Sequence, residues 1–358
     1  MNKPLLAALL CGMTLLAQPA HAAYPDKPIT VVVPYPPGGA TDIIARKLAA
    51  PLGQRLGQPV IVENKAGAGT AIGAALVAKS APDGYTLLIS SNTTFTVNAA
   101  LKNSLPYDPQ KDFESVGLIG SSPLVLLAHP KVPANTVKEL IALSHKDGKG
   151  LNFGSFGVGT TAHMAGEMFK VMTGANMVHV AYRGSAPAMT DLIGGQIPLT
   201  FDTNVAALPQ MATGKVKAIA VTSRQRSRLA PEVPTVGELG LKDLESEVVY
   251  VVMAHASTPE PLMQTMAKAI TDALSRPEQQ ARLNELDMAY EGLTGTAAAS
   301  RLKKLSDQYG RVIRAADGSV ERVAETKTAG VGSSLGTYQP TPKPSPLSGS
   351  SISRASKL

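Results

Sequence analysis

The sequence predicts an α/β protein built as two units, with parallel-rich sheets flanked by helices and a cleft between them. Short apolar runs alternate with helical periodicity, which is the pattern of βαβ units. The alternation pauses and restarts near residue 120, so a second unit follows the first. The segments that follow the strands, in both halves, are rich in Gly, Ser, Thr and Asn, as loops lining a polar cleft would be.

In the first unit ITVVVPY reads as a strand. DIIARKLAAPLGQRLG is a helix that places Ile44, Leu48, Leu52 and Leu56 on one face. PVIVEN is a second strand, GTAIGAALVAKSAP a helix ended by Pro82, and Asp83-Gly84 a turn before the strand YTLLISS. This β-α-β-α-β order predicts a parallel sheet with right-handed crossovers. The second unit runs through the strand PLVLLAHP, the helix TVKELIALSHKDG, the strand LNFGSF and the helix TAHMAGEMFKVMTG. It continues with MVHVAY, SAPAMTDLIGG, IPLTFD, VAALPQMATG and VKAIAVTS, again strand and helix in turn. ESEVVYVVMAHA and three helical stretches then carry the chain back to the first unit.

The two ends stand apart from this body. MNKPLLAALLCGMTLLAQPAHA has a basic residue (Lys3), an apolar run from Leu5 to Ala17 and an Ala20-His21-Ala22 cleavage signal. The run is too short to span a bilayer, so residues 1–22 read as a secretory signal peptide with cleavage after Ala22. Leu10 precedes Cys11 where a lipid anchor needs a small residue, and Cys11 is the only cysteine, so the mature chain has no disulfide and no thiolate chemistry. No later run of about 18 apolar residues occurs, so the mature protein is expected to be periplasmic, not embedded in a membrane, and a monomer. Residues 325–358 are dominated by Ser, Pro, Gly and Thr without hydrophobic period and read as disordered. The net charge of +7 includes +1 from the leader and +3 from this tail, which leaves a mildly basic body without a basic stripe and argues against nucleic acid as a partner.

Five loops at the carboxyl ends of strands carry the candidate chemistry. The first, Pro34 to Asp42, joins prolines that fix φ to Gly38 and Gly39, which let backbone approach a ligand, and ends on Thr41 and Asp42 as potential caps. The others are Ser90 to Thr94, Gly154 to His163, Tyr182 to Pro187 and Phe201 to Asn204. Together they describe a polar pocket faced by several helix N-termini, an environment for a small anion held by neutral donors. The candidate ligand-binding residues are Tyr35, Gly38, Gly39, Thr41, Asp42, Ser91, Asn92, Ser155, Gly159, Thr160, Thr161, His163, Arg183, Ser185, Ala186 and Asp202. Asp42 reads first as a helix cap, and Arg183 equally well as a solvated loop charge.

No catalytic set is expected. Phe153 stands where a G-x-S-x-G elbow around Ser155 needs glycine. Gly67, Gly69 and Gly73 give G-x-G-x-x-x-G, one position off the dinucleotide fingerprint. His163 and Glu167 lie four apart but lack a third metal ligand, and the lone carboxylates offer no acid/base pair. Neither cofactor nor metal is expected.

VVVPYPPGGATDIIAR, PVIVENKAGAGTAIGAALVAKSAPDGYTLLI, LPYDPQKDF, GSFGVGTTAHMAGEMFK, MVHVAYRGSAPAMTDLIGGQIPLTFD and PEVPTVGELG, in this order, resemble the substrate-binding receptors of the tripartite tricarboxylate transporters, the Bug (Bordetella uptake gene) family. The resemblance covers about Tyr24 to Ala316. It implies a two-domain periplasmic binding protein (type II, Venus flytrap), with residues 23–120 and 225–324 in one domain and 121–224 in the other. It implies a receptor, not an enzyme, that binds a small carboxylate between the domains, closes about a hinge and hands the ligand to the membrane subunits of a transporter. The matched binding loops are Tyr35 to Asp42, Ser155 to His163, Arg183 to Pro187, and Asp202. Two departures bear on ligand choice. Val249 and Tyr250 stand where the family often has a tryptophan-phenylalanine pair, and Tyr-Pro-Pro stiffens the first loop. The alternatives are a secreted hydrolase-like enzyme and a sensor subunit for a signalling partner.

Overall fold

The β-branched run near the amino end forms β1 (Ile29–Val33) of the computed structural model, which describes residues 24–101 and 105–315. The leader (1–22) and the Ser/Pro/Gly-rich tail (325–358) lie outside the described residues. After β1 come α1 (Ala40–Leu56), β2 (Val60–Asn64), α2 (Ala71–Ala78) and β3 (Thr86–Ser91). A π-helical turn over Thr93–Val97 and a short α3 (Asn98–Leu101) follow. β2 and β3 both pair with β1 and run parallel to it, as the βαβ rhythm predicts.

The second unit comprises β4 (Phe113–Ala128), α4 (Val137–His145), β5 (Leu151–Ser155), α5 (Thr161–Thr173), β6 (Met177–Ala181), α6 (Ser185–Ile193), β7 (Leu199–Thr203), α7 (Asn204–Ala212) and β8 (Lys217–Val221). β5 pairs in parallel with β6 and β7. The chain then returns through β9 (Glu247–His255), α8 (Glu260–Leu274), α9 (Pro277–Asn284) and α10 (Gly295–Ala315). The strand order is β2-β1-β3-β9-β4-β7-β5-β6, with β8 on β4. β9 and β4 run antiparallel to all their neighbours, so the sheet is parallel among β1, β2 and β3 and among β5, β6 and β7, and antiparallel wherever β4 or β9 takes part.

β4 departs from the strand read in the sequence, which began at Pro123. Its first part, Phe113 to Pro123, pairs with β9, and its last part, from Leu124, pairs with β7 and β8. Gly117 and Gly120 sit where the register with β9 shifts. They leave room for the segment before α10, which bridges β4 at Gly117↔Thr294 and Ser121↔Ala289. Thr222, just after β8, staples the crossing: it accepts from Leu124 N–H (2.9 Å) and donates to Ser246 C=O (2.6 Å).

Helices cover both faces of the sheet, which explains why its central strands are apolar throughout. On β9, Val248, Tyr250, Val252 and Ala254 enter one core with α1 and α8, while Val249, Val251 and Met253 enter the core under α2 and α10. Ile44, Leu48 and Leu52 of α1 are buried as its periodicity predicts, with Leu56 partly buried at the end. Among the described residues no helix is long and apolar enough to cross a membrane.

Candidate functional site

The loop between β1 and α1 is held rigid by one buried carboxylate. α1 starts at Ala40 with Gly39 as N-cap and no side-chain cap, so Thr41 and Asp42 are inside the first turn, not at the cap. From there Asp42 reaches back and accepts the Gly38 N–H (2.9 Å). It also accepts from Arg46 Nε on both oxygens (3.0 Å) and from Asn64 Nδ2 (2.9 Å). Asn64, at the end of β2, donates from the same amide to Tyr35 C=O (3.0 Å), which ties the loop to the neighbouring strand. Burial pushes the Asp42 carboxyl up, but the hydrogen bonds from Arg46, Gly38 and Asn64 outweigh it and hold the group below its ordinary value. Gly38 has φ +80°, a conformation that side chains disfavour. The N–H groups at the start of α1 have no intrahelical acceptor and aim out of the loop.

The loop faces α6 across a narrow gap. A Cβ placed on Gly39 would lie 3.6 Å from Ser185 Cβ and 3.9 Å from Ala186 N, and one on Gly38 3.9 Å from Ala186 Cβ. Gly184 is the N-cap of α6, again without a side-chain cap, and a Cβ there would come within 2.5 Å of Pro36 Cδ. The uncapped N-termini of α1 and α6 therefore meet from opposite halves of the fold. Between them lies a cavity of about 20 Å³, room for about one water, lined by Tyr35, Gly39, Thr41, Ser91, Ser185 and Tyr250 with Ala40, Phe156, Thr203 and Val248. No lysine or arginine lines it among the described residues. Such a site offers an anion backbone N–H groups, hydroxyls and two helix dipoles.

Six of the ten wall residues carry a hydroxyl. Tyr35 Oη and Ser91 Oγ share a hydrogen bond of 2.7 Å, and burial pushes the Tyr35 phenol up, which keeps it protonated. Asp202 lies behind the wall, fully buried, accepting from Ser185 Oγ (2.9 and 2.8 Å) and from Thr203 N–H (2.7 Å). Burial pushes its carboxyl up to about 7, against the opposing effect of those hydrogen bonds. Tyr250 is buried beside Thr203 and its phenol is also pushed up by burial.

The structure sorts the residues singled out in the sequence. Tyr35, Gly39, Thr41, Ser91 and Ser185 line the cavity, and Gly38 and Ala186 close over it. Asp42 and Asp202 sit one layer behind. Asn92 is buried and anchors β9 by accepting Val249 N–H (3.2 Å). Gly159, Thr160, Thr161 and His163 build the N-terminus of α5, where Thr160 caps and the Gly159 N–H donates to His163 Nδ1 (3.1 Å). Thr161 N–H reaches across to Thr93 Oγ1 (3.3 Å), a link between the halves. Arg183 is exposed and not on the cavity wall.

Phe156, Thr203, Val248 and Tyr250 are wall residues absent from the sequence-derived set. Of the pair Val249-Tyr250 only the tyrosine borders the cavity; strand alternation turns Val249 into the opposite core. The structure also pairs Ser155 Oγ with His179 Nε2 at 2.6 Å, a contact the sequence hid because the residues lie on neighbouring strands. Ser155 is fully buried, also bonds Gly157, and is off the cavity wall, while His179 stacks on His163 with centroids 4.1 Å apart. The pair therefore acts as a structural tie beneath α5.

The chain is similar to known proteins over nearly all of this fold. A family model described as the tripartite tricarboxylate transporter family receptor matches residues 44–317. The solved periplasmic binding protein BugD is 34% identical, with a TM-score of 0.79 over 82% of this chain and 99% of that one. The Rhodopseudomonas palustris protein MatC with bound malate is 31% identical, with a TM-score of 0.76 over 81% of this chain and 100% of that one. R. palustris Rpa4515 with adipate is 30% identical, with a TM-score of 0.79 over 82% of this chain and 98% of that one.

Proposed function

This chain belongs to the tripartite tricarboxylate transporter family of receptors, and from that premise we propose that it captures a small carboxylate in the cleft between two lobes and delivers it to a membrane transporter of the tripartite tricarboxylate type. The lobes are residues 23–120 with 225–324, and 121–224. The hinge is the place where β4 passes from β9 to β7, together with the Thr222 staple. The protein acts in the periplasm as a receptor, and the chemistry at the cleft is binding without turnover.

The observation that carries this reading is the meeting of two uncapped helix N-termini, α1 and α6, from opposite sides of one cavity. Each offers unsatisfied N–H donors and partial positive charge, so a carboxylate placed between them draws the lobes together. The malate and adipate held by the two R. palustris relatives are of the same chemical class. The wall residues Tyr35, Thr41, Ser91, Ser185 and Tyr250 are the side chains assigned to the ligand. Gly38, Gly39 and Ala186 are assigned to it through backbone and close approach.

The test is a thermal-shift screen over mono-, di- and tricarboxylates and aromatic acids. A specific ligand at a hundred times its Kd stabilises the folded form by about 2.7 kcal/mol and raises the midpoint in a concentration-dependent way. If no acid moves the midpoint and hydrolysis of an ester is observed instead, the receptor reading is wrong.

A further inference from the structure

A serine hydroxyl has one hydrogen to give and two lone pairs to receive. Ser185 lines the cavity on one side and lies 2.9 and 2.8 Å from the two oxygens of Asp202 on the other. An ionised Asp202 can only accept, so it holds the Ser185 hydrogen and leaves lone pairs facing the cavity. A protonated Asp202 can donate. Its Oδ1 already takes the Thr203 N–H (2.7 Å), so the proton belongs on Oδ2, directed at Ser185 Oγ. The Ser185 hydrogen is then released toward the cavity. One proton thus exchanges an acceptor for a donor at the wall.

We propose that the Asp202–Ser185 pair is the specificity-determining switch of the cleft, admitting a carboxylate with Asp202 protonated and turning it away with Asp202 ionised. The proton comes from solvent and is taken up with the ligand. This inference rests on the carboxylate-capture reading and adds to it the charge and hydrogen-bond polarity that the wall selects.

The surroundings leave Asp202 free to work this way. It forms no ion pair among the described residues. On β7 the preceding Phe201 packs on Phe153 and Phe169, the face that also carries His163, His179 and the Glu167–Lys170 pair. Strand alternation points Asp202 to the opposite face. There α6 supplies Ser185, β4 supplies the uncharged Val125, and α7 begins with Asn204, whose Nδ2 is taken by Asp287 (2.6 Å). β9 and the first loop supply Tyr250 and Tyr35, both kept protonated by burial. Arg183 is exposed. With the Asp202 carboxyl pushed up to about 7, the exchange of donor for acceptor falls near neutral pH.

The experiment is isothermal titration of the full chain with malate and with adipate between pH 6.5 and 9, in two buffers of different ionisation enthalpy. The wild type is expected to lose about 80-fold in affinity across this range, approaching tenfold per pH unit above 7, and to take up close to one proton per ligand at pH 8. Asp202→Asn, whose amide keeps a donor toward Ser185, is expected to hold one affinity at every pH, and Ser185→Ala to lose most of the slope. A flat wild-type profile, or the same slope in wild type and Asp202→Asn, overturns the inference and leaves carboxylate capture standing. Failure of both acids to bind at any pH removes the carboxylate reading and this inference with it. Unfolding by urea supplies a readout free of ligand: wild-type stability is expected to fall as pH rises from 4 to 7, and that fall to be absent in Asp202→Asn. Equal pH dependence in both proteins overturns the titration of Asp202.

Discussion

Gly39→Val separates closure of the cleft from folding. Gly39 has φ −80° and ψ 168°, an extended conformation that any residue adopts, so the backbone itself tolerates a side chain. A Cβ at this position would lie 3.6 Å from Ser185 Cβ, 3.7 Å from Pro36 C=O and 3.9 Å from Ala186 N. Alanine therefore adds one carbon in ordinary contact. Valine adds two further methyl groups to a Cβ already met from three directions, and at least one is driven toward Ser185 or Ala186 across the cleft. Overpacking of this kind costs about 1–3 kcal/mol. On the proposed closure the open form has no such neighbour, so the cost falls on the closed form and is expected to appear as roughly 5- to 150-fold weaker binding. The assay is calorimetric titration of wild type, Gly39→Ala and Gly39→Val with the best acid from the screen, beside thermal melts of the unliganded proteins. Valine is expected to bind far more weakly with a melting point close to that of the alanine variant. Wild-type affinity in Gly39→Val would refute the reasoning. Equal losses in both variants would refute it too, because they would place the effect in the N-cap.

Asp42→Ala removes the acceptor of the Gly38 N–H and one of the two acceptors of the Asn64 amide, with an expected loss of about 1–3 kcal/mol in urea unfolding and weaker binding although no ligand contact is deleted. Because the Asp42 carboxyl is held below its ordinary value, its contribution is complete at neutral pH and is lost as pH falls through its native pKa. The wild type should therefore lose stability on acidification that Asp42→Asn has already lost, and parallel pH profiles would count against the loop lock. Tyr250→Phe deletes a buried hydroxyl at the cavity wall and should shift affinities by about 1 kcal/mol, some fivefold, reordering the acids in the screen. An unchanged ranking would place the Tyr250 hydroxyl outside ligand selection.

The elements of this fold were legible because their periods are strong. The apolar face of α1 and the β-branched run of β1 each follow one rule. β4 was cut short because the alternation pauses before residue 120, where Gly117 and Gly120 make room for bridges to Ala289 and Thr294, far along the chain. The first loop was legible as a site because Pro, Gly and a following helix are local signals. The capping role of Asp42 was misplaced by one turn because Gly39, with nothing but backbone, takes the N-cap. Thr203 and Tyr250 were reached only as members of a loop and of a pair, because strand alternation selects which of two neighbours meets the cavity, and that choice depends on register with β4 and β3. The Ser155–His179 tie escaped for the same reason: two residues far apart in sequence meet through the pairing of β5 and β6.

The donors at this cleft are of a particular kind, and their kind bears on release. An arginine aimed at a carboxylate would give a charge-assisted, bidentate pair that is strong and indifferent to small movements of the lobes. Backbone N–H groups at two helix starts are different, because on the proposed two-lobe closure each set is fixed to its own lobe. Their sum exists only with the lobes together: moving α6 away from α1 removes half of the donors at once and returns the ligand to water. Contacts also cross between these lobes. Gly39 faces Ser185, Gly184 faces Pro36, and one hydrogen bond joins Thr161 to Thr93. On the same proposal, Asp202 beside the start of α6 weakens the closed form whenever it is ionised, since one of the two dipoles then already serves an internal anion. On the proposed closure, this arrangement favours capture that depends on both lobes and reverses when either one moves.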